Sequence, residues 1–186
     1  MNHEIEFSWA SEVAKHVGSI VHRWLQLIAE DKLKGWDAER VQSMRKKFAY
    51  GLLKNGLSAD DKTLEQAVER IVIALTNSLS DRRGRWILGE QYEAQNELRL
   101  TGVIDGNVVD YVIDRTFCDA TNIRWIIDYK TSSHEGSGVE SFLDREQERY
   151  RHQLNNYANF FRKIDTRAIR LGLFFPMLKG WRTWSD

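Results

Sequence analysis

The segment that decides the fold is "VIDRTFCDATNIRWIIDYKTS", residues 112–132. It contains two runs rich in β-branched and aromatic residues, separated by the small polar residues "DATN" at 119–122. Two such runs on either side of a polar break predict consecutive antiparallel strands. A turn centred near Thr121 then places Asp114 on the first strand opposite Asp128 on the second.

The facing carboxylates suggest a site for a cation. Opposed side chains of an antiparallel pair have Cβ atoms about 4.5–5.5 Å apart, so Asp114 and Asp128 would repel each other unless a cation lies between them. Lys130 follows Asp128 by two residues and is predicted to project from the same face. A single Asp-x-Lys in a strand is usually a weak surface ion pair. The hydrophobic residues 125–127 instead indicate a buried strand, in which an unpaired charge is unfavourable.

A preceding hairpin adds a third carboxylate. The run "ELRLTGVI" is followed by Asp105-Gly106 and then by "NVVDYVIDRTF", and Asp-Gly between two such runs is typical of a tight hairpin. This turn would place Glu97 opposite Asp114, unless a one-residue bulge shifts the strand. Three consecutive antiparallel strands are therefore predicted.

The rest of the chain is predicted to be helical before the strands and mixed after them. Apolar residues at helical spacing predict a first helix that Ser11 would cap, and two further helices over 37–56 and 60–79, the last ended by "DRRG" at 81–84. From Ile87 onwards the pattern changes to that of strands. After residue 130 we expect the loose segment "SSHEGSGVES", a helix over roughly 144–164, the strand "AIRLGLFFP" and a short terminal strand in "GWRTWSD".

Composition excludes several classes of site. The chain has 186 residues, with 27 Lys+Arg and 27 Asp+Glu, so its net charge neither indicates nor excludes nucleic acid. Its single cysteine, Cys118, excludes an internal disulfide and a cysteine-based zinc or iron–sulfur site. The G-x-x-x-x-G-K-[ST] phosphate loop is absent, so no ATP site of that type is expected. No signal peptide or apolar span of transmembrane length is found, which predicts a cytoplasmic protein without a membrane partner.

Several motifs together resemble a known family. "VIDRTF…RWIIDYKTS" followed by "YRHQLNNYANFF" resembles the nuclease domain of the RecB-like branch of the PD-(D/E)XK superfamily. Such domains lie at the C-terminal end of UvrD-type helicases of the RecBCD and AddAB kind. "FSWASEVAKHVGSIVHRWLQLIAE" is similar to the helical start of that domain, so the resemblance covers nearly the whole chain. The motif residues are Gly18 and His22 (G-x-x-x-H), Glu97 ahead of the first hairpin, Asp114 (iDR), Asp128 and Lys130 (DYK), and Gln153 and Tyr157 (Q-x-x-x-Y).

The resemblance implies a fold and an activity. The fold is α/β of the α+β kind: a restriction-endonuclease-like core over 86–186, with a central mixed sheet flanked by helices, and an N-terminal helical subdomain over 1–85, all in one nuclease domain. The implied activity is metal-dependent hydrolysis of DNA, in single strands or at duplex ends, by an exonuclease in repair or recombination. The implied partners are DNA and helicase domains of the same or a partner chain.

The resemblance also implies roles for individual residues. Mg²⁺ or Mn²⁺ would be the cofactor, and Lys130 would orient a water or stabilise charge on the phosphate. The four-cysteine iron–sulfur cluster found in one branch of the family is not expected. The implied metal ligands are His22, Glu97, Asp114, Asp128 and the backbone carbonyl of Tyr129. The implied catalytic residues are Asp114, Asp128, Lys130, Gln153 and Tyr157.

Each motif residue also has a simpler interpretation. Taken alone, His22 is a packing histidine at the edge of an apolar helix face, Tyr157 is a core residue, and Gln153 is a surface amide. A nuclease fold that only binds DNA or a partner is the alternative function, although such proteins usually lose one of the Asp/Asp/Lys set, which is complete here. Three arginines could form a solvated helix face or contact phosphates: Arg145, Arg149 and Arg151.

Overall fold

The computed structural model describes residues 2–104, 107–134 and 138–185, with side chains from residue 12 onwards except at 104 and 107. The predicted turn at Asp105-Gly106 lies outside the described residues. Helices and strands follow in the order α1 (Asn2–Glu30), α2 (Ala38–Ser43), α3 (Arg45–Lys54), α4 (Asp61–Ser80), α5 (Arg82–Leu88), β1 (Tyr92–Ile104), β2 (Asn107–Cys118), β3 (Arg124–Tyr129), α6 (Val139–Phe161), β4 (Ile169–Phe175) and β5 (Gly180–Ser185).

Three aspartates begin helices in the first half of the chain. The side chain of Asp37 accepts the backbone N–H of Arg40 at the start of α2, and Asp60 and Asp81 act in the same way at the starts of α4 and α5. Each satisfies a backbone donor that has no partner within the helix. The prediction of helices here is confirmed.

Four details of the helical half differ from the prediction. The first helix begins at Asn2, so Ser11 lies inside it and does not begin it. The helix predicted over 37–56 is divided at Met44 into α2 and α3. "DRRG" ends α4 as predicted, but Asp81 then caps a further helix. Ile87 therefore lies in α5, and the first strand begins only at Tyr92.

The described strands form one mixed five-stranded sheet in the order β1-β2-β3-β4-β5. Strands β3 and β4 are parallel and the other pairs are antiparallel. Between β2 and β3, Phe117 pairs with Trp125 and Arg115 with Ile127. A turn centred near Thr121 requires this register, which confirms the prediction.

Helix α6 makes the crossover that joins the parallel strands β3 and β4. It spans Val139–Phe161, so it begins five residues earlier than predicted and ends three residues earlier. Its buried face packs against the sheet and comprises Leu143, Glu146, Leu154, Tyr157, Ala158 and Phe161.

The sheet is therefore covered on both faces. On one face, Phe117, Trp125 and Ile127 pack with residues of the N-terminal helices, and on the other, Ile126 and Ile113 pack with α6. All six residues of β3 are buried as a result. Among the described residues, none of the helices is both long enough and apolar enough to cross a membrane.

Strands β1 and β2 extend beyond the rest of the sheet. They pair with each other from Gln95 to Ile104, whereas β3 pairs only with residues 115–118 of β2. We call residues 98–103 and 108–113 the β1–β2 arm. Its inner face packs on α6, and a Cβ added to Gly102 would lie 1.8 Å from Cε1 of Phe160.

Gly102→Ala is expected to destabilise the protein by about 1–3 kcal/mol, because the added methyl group must displace the Phe160 ring or the arm. Urea unfolding would measure this change. The smaller side chain of Phe160→Leu should make the Gly102→Ala change less destabilising, so the double variant should show a favourable coupling energy. Equal stability of Gly102→Ala and wild type would contradict the close packing of the arm on α6.

Candidate active site

Asp128 lies at the end of the buried strand β3, and its side chain is only 7% exposed. Oδ2 of Asp128 lies 2.7 Å from Nζ of Lys130, so the two residues form an ion pair, although without regular hydrogen-bond geometry. The ammonium group of Lys130 also lies 3.9 Å from the centre of the Tyr150 ring, on α6. Lys130 is thus held between a carboxylate and an aromatic face.

The charge of Asp128 is unfavourable in this position. Burial, together with the negative charge of Asp114, raises the pKa of the Asp128 carboxyl from 3.8 to about 6, although Lys130 and His22 oppose the rise. The two aspartates are therefore close enough to repel, as the predicted register requires. The paired residues of β2 and β3 end at Arg115 and Ile127, one residue short of these aspartates.

Asp114 is held by two neighbours. Its Oδ2 accepts the backbone N–H of Tyr129 at 2.6 Å, and its Oδ1 lies 3.3 Å from Nδ1 of His22 on α1. Burial disfavours protonation of His22, but the hydrogen bond and charge of Asp114, with the charges of Asp128 and Glu97, outweigh burial and raise the pKa of His22 above 6.5. Tyr129 directs its buried ring to His22, with the ring centroids 5.7 Å apart.

Glu97 completes a group of metal-compatible donors. It adopts a left-handed backbone conformation with φ of 48°, which is uncommon for a residue other than glycine. One donor atom from each of His22, Glu97 and Asp114 lies within 4.8 Å of the other two. Burial and the charge of Asp114 raise the pKa of Glu97. Two carboxylates and an imidazole suit Mg²⁺ or Mn²⁺, so these residues fit the expected ion.

A cleft of about 560 Å³ lies at this group, between α1 and the segment that follows β3. His22 and Glu97 line it together with Lys130 and Tyr150. Gly18 lies one helical turn before His22, and a Cβ at that position would lie 2.9 Å from Oγ1 of Thr131. The absence of a side chain at Gly18 therefore lets α1 approach the end of β3 closely, one helical turn before His22.

The family comparison agrees with this arrangement. Residues 3–180 match the model of the PD-(D/E)XK nuclease superfamily. The chain belongs to the PD-(D/E)XK nuclease superfamily. Its members are generally nucleases that typically use Mg²⁺ or Mn²⁺, and such a fold implies DNA as the substrate. A search of curated proteins found no match to this chain.

Within this superfamily domain, Gln153 and Tyr157 form a hydrogen-bonded pair on α6. Nε2 of Gln153 donates to the Tyr157 hydroxyl at 2.5 Å, and the Tyr157 ring packs edge-on against Tyr111, with the ring centroids 5.2 Å apart. Burial raises the pKa of Tyr157 to about 12, although the hydrogen bond from Gln153 lowers it; the charges of Asp128 and Asp114 add to the rise. The structure thus joins these two residues to each other, and the Gln153 amide makes no described hydrogen bond to Lys130.

Two residues of α6 near Lys130 were not predicted to have a polar role. The ring of Tyr150 contacts the Lys130 ammonium group, with the nitrogen 3.9 Å from the ring centre. Glu146 is buried and accepts a hydrogen bond from the Ser132 hydroxyl at 3.3 Å, just after β3. Glu146, Tyr150 and Gln153 are spaced by four and three residues, which places them on one helix face. This spacing is the signal by which the sequence could have identified Glu146.

The arginines of α6 are partly engaged within the helix. Arg151 pairs with Glu148 at 3.0 Å, and Arg149 lies 3.4 Å from Glu146. Both ion pairs join residues three positions apart on the helix. For Arg151, this local pairing favours a solvated helix face over phosphate contacts.

A second group of potential ligands does not suit a metal. Donor atoms of Glu93, Cys118 and Asp165 also lie within 4.8 Å of one another. Arg124 lies 2.9 Å from Asp165, and Arg167 lies 2.8 Å from Glu93. Because two guanidinium groups already balance these carboxylates, a divalent cation would meet like charges there.

Asp128→Asn is expected to stabilise the metal-free protein above pH 7 by about 1–2 kcal/mol, less than the full effect of the pKa shift because Lys130 loses its partner. The sign follows from the raised pKa. The folded protein keeps a proton on Asp128 up to about pH 6, whereas the unfolded chain loses it near pH 3.8. The free energy of unfolding should therefore fall as pH rises through this window.

Urea unfolding of both proteins from pH 4 to pH 8 in the presence of a chelator would measure this difference. Asp61→Asn removes an exposed carboxylate at the start of α4 and serves as the control. If wild type and Asp128→Asn keep the same stability difference at every pH, Asp128 does not carry the buried charge described here.

Proposed function

We propose that this chain is a metal-dependent DNA nuclease that hydrolyses phosphodiester bonds, and that residues 1–186 act as one nuclease domain. The observation that carries the proposal is the convergence of His22 from α1, Glu97 from β1 and Asp114 from β2 within 4.8 Å, beside the Asp128–Lys130 ion pair of β3. Membership of the PD-(D/E)XK superfamily supports the same activity.

The ligand set is proposed from the chemistry of these donors. His22, Glu97 and Asp114 would hold Mg²⁺ or Mn²⁺, with Asp128 and the backbone carbonyl of Tyr129 as the further ligands that the family resemblance implies. The bound ion would polarise a phosphoryl oxygen and lower the pKa of a water molecule. The N–H of Tyr129 orients the Asp114 carboxylate, because it already binds one of its oxygens.

Lys130 supplies the positive charge for the reacting phosphate. Its ammonium group lies 2.7 Å from Oδ2 of Asp128, and the Tyr150 ring limits the positions that the side chain can reach. A charge fixed in advance at a recessed site stabilises a developing negative charge without reorganisation of the site. Tyr157, which is buried, and Gln153, which is half-buried, would act behind this group as a hydrogen-bonded support on α6.

Finer features of the function rest on the RecB-like resemblance. We infer an exonuclease that acts on single strands or duplex ends, works with helicase domains of the same or another chain, and serves DNA repair or recombination in the cytoplasm. The balanced charge of 27 basic and 27 acidic residues is compatible with a module whose grip on DNA is partly supplied by such a partner.

The decisive experiment combines substrates with matched variants. Purified protein is incubated with linear and circular DNA, single- and double-stranded, in Mg²⁺, Mn²⁺ or chelator. Wild type should degrade linear DNA only with metal and leave circles intact. Lys130→Met and Asp128→Ala should lower the rate by about 10²-fold or more, since the first removes the positive charge at the reacting phosphate and the second removes a proposed metal ligand. Lys163→Met, which removes an exposed lysine at the end of α6, should have the wild-type rate.

Three outcomes would contradict parts of the proposal. Absence of metal-dependent degradation would refute the nuclease function, and retention of DNA without cleavage would favour the binding-module alternative. Degradation that persists in Lys130→Met and Asp128→Ala would show that the activity belongs to another site or another protein. Cleavage of circles would refute the exonuclease assignment alone.

A further inference from the structure

The outer face of the β1–β2 arm continues directly from the candidate active site. Beyond Glu97, Leu98 and Leu100 pack towards α6, and the side chains between them alternate to the opposite face. That outer face is solvent-exposed and comprises Arg99, Thr101 and Val103 of β1 and Val108, Asp110 and Val112 of β2. Glu97 and Asp114, which lead into this face, reach His22 on the side of the sheet where α1 lies.

Arg99 carries an uncompensated positive charge at the start of this face. It pairs across the arm with Val112, and within the described part of the chain no acidic side chain forms an ion pair with it. Its charge lowers the pKa of Glu97, which places the guanidinium near the metal-compatible group. The acidic residue of the face, Asp110, is farther along the arm, and its carboxylate accepts a hydrogen bond from the Thr101 hydroxyl at 2.5 Å.

The far end of the face is apolar. Val103 and Val108 pair with each other there and are 58% and 71% exposed, whereas Val112 lies beside Arg99 at the near end and is 38% exposed. Large exposed apolar patches on a soluble protein often mark binding surfaces. From Glu97 to Val103 the arm extends roughly 20 Å, at about 3.3 Å per residue, so the face could contact several nucleotides next to the site.

These features favour a single DNA strand as the occupant. The Asp128 and Asp114 side chains are only 7% and 11% exposed, and α1 lies beside them, so the reacting phosphate must enter a recess. A flexible single strand can bend into a recess that a rigid duplex cannot enter. Apolar side chains can also contact the base faces that only a single strand exposes.

We propose that the outer face of the β1–β2 arm binds the single DNA strand on one side of the scissile phosphate. Arg99 contacts the backbone phosphate next to the site, and the exposed valines Val103, Val108 and Val112 contact the bases. This proposal rests on the proposed nuclease function, because it takes its ligand from the site beside the arm.

The test changes the charge of the face without changing the active-site residues. Binding of a fluorescent oligothymidine strand and of a labelled hairpin duplex is measured by anisotropy over a range of salt concentrations, with Ca²⁺ in place of Mg²⁺. One phosphate contact on a single strand contributes about 0.7 to the slope of log Kd against log salt. Arg99→Ala should reduce the slope for the single strand by about 0.7, and Val112→Lys, beside it, should increase the slope by about 0.7.

Arg170→Ala is the matched control, since Arg170 is an exposed arginine of β4 that pairs with Trp125 near the start of β3, without an ion pair among the described residues. It should bind as wild type does. Unchanged single-strand slopes in both arm variants, or equal changes in Arg170→Ala, would overturn the proposal. So would duplex binding that is tighter than single-strand binding and depends equally on Arg99.

The nuclease assay separates this proposal from the proposed function. If wild type degrades DNA with metal but the arm variants keep its affinity for single strands, the arm proposal alone is wrong. If wild type neither degrades nor binds DNA, the proposed function is wrong, and the arm proposal that rests on it is wrong as well.

Discussion

Repulsion between the carboxylates of Asp114 and Asp128 is the interaction on which the rest of the site depends. Asp128 lies in β3 and Asp114 in the neighbouring β2, and burial and the charge of Asp114 raise the pKa of Asp128 to about 6. The protein compensates with Lys130, with His22 and with the N–H of Tyr129. These contacts do not remove the repulsion, and a bound cation would relieve it. The two carboxylates therefore lower the stability of the metal-free protein at the candidate site.

The surrounding fold keeps these charges in place. Beside Asp114, the buried guanidinium of Arg115 donates to the carbonyls of Ile87 and Gly89, where α5 ends, and to the side chain of Asn96. The negative end of a helix and its unpaired carbonyls suit a buried cation. This contact joins the helical half of the chain to β2 next to the site. On the other side, the close approach of Gly18 to Thr131 holds α1 and its His22 against β3.

Short-range patterns of the sequence predicted the sheet, but not the contacts that arise from packing. The β2–β3 register followed from "DATN" at 119–122 and from alternation, because both are local. The sequence did not indicate that α2 and α3 are separate helices or that α5 follows α4. The reason is that neither boundary, at Met44 or at Asp81, is marked by Gly or Pro. The contact between Lys130 and Tyr150 joins a strand to a helix that follows a loop, and no local spacing predicts it. His22 could be assigned only by resemblance, since it lies on α1 and its partners Glu97 and Asp114 come from β1 and β2, far away in the sequence.

The most direct test of this account is an anomalous difference map from a crystal grown with Mn²⁺. The account predicts a manganese peak within about 2.5 Å of a ring nitrogen of His22 and of carboxylate oxygens of Glu97 and Asp114. A peak at the Glu93–Cys118–Asp165 group, with none at His22, would contradict it. So would a map in which the His22 group stays empty while Asp114 keeps its contacts with His22 and Tyr129.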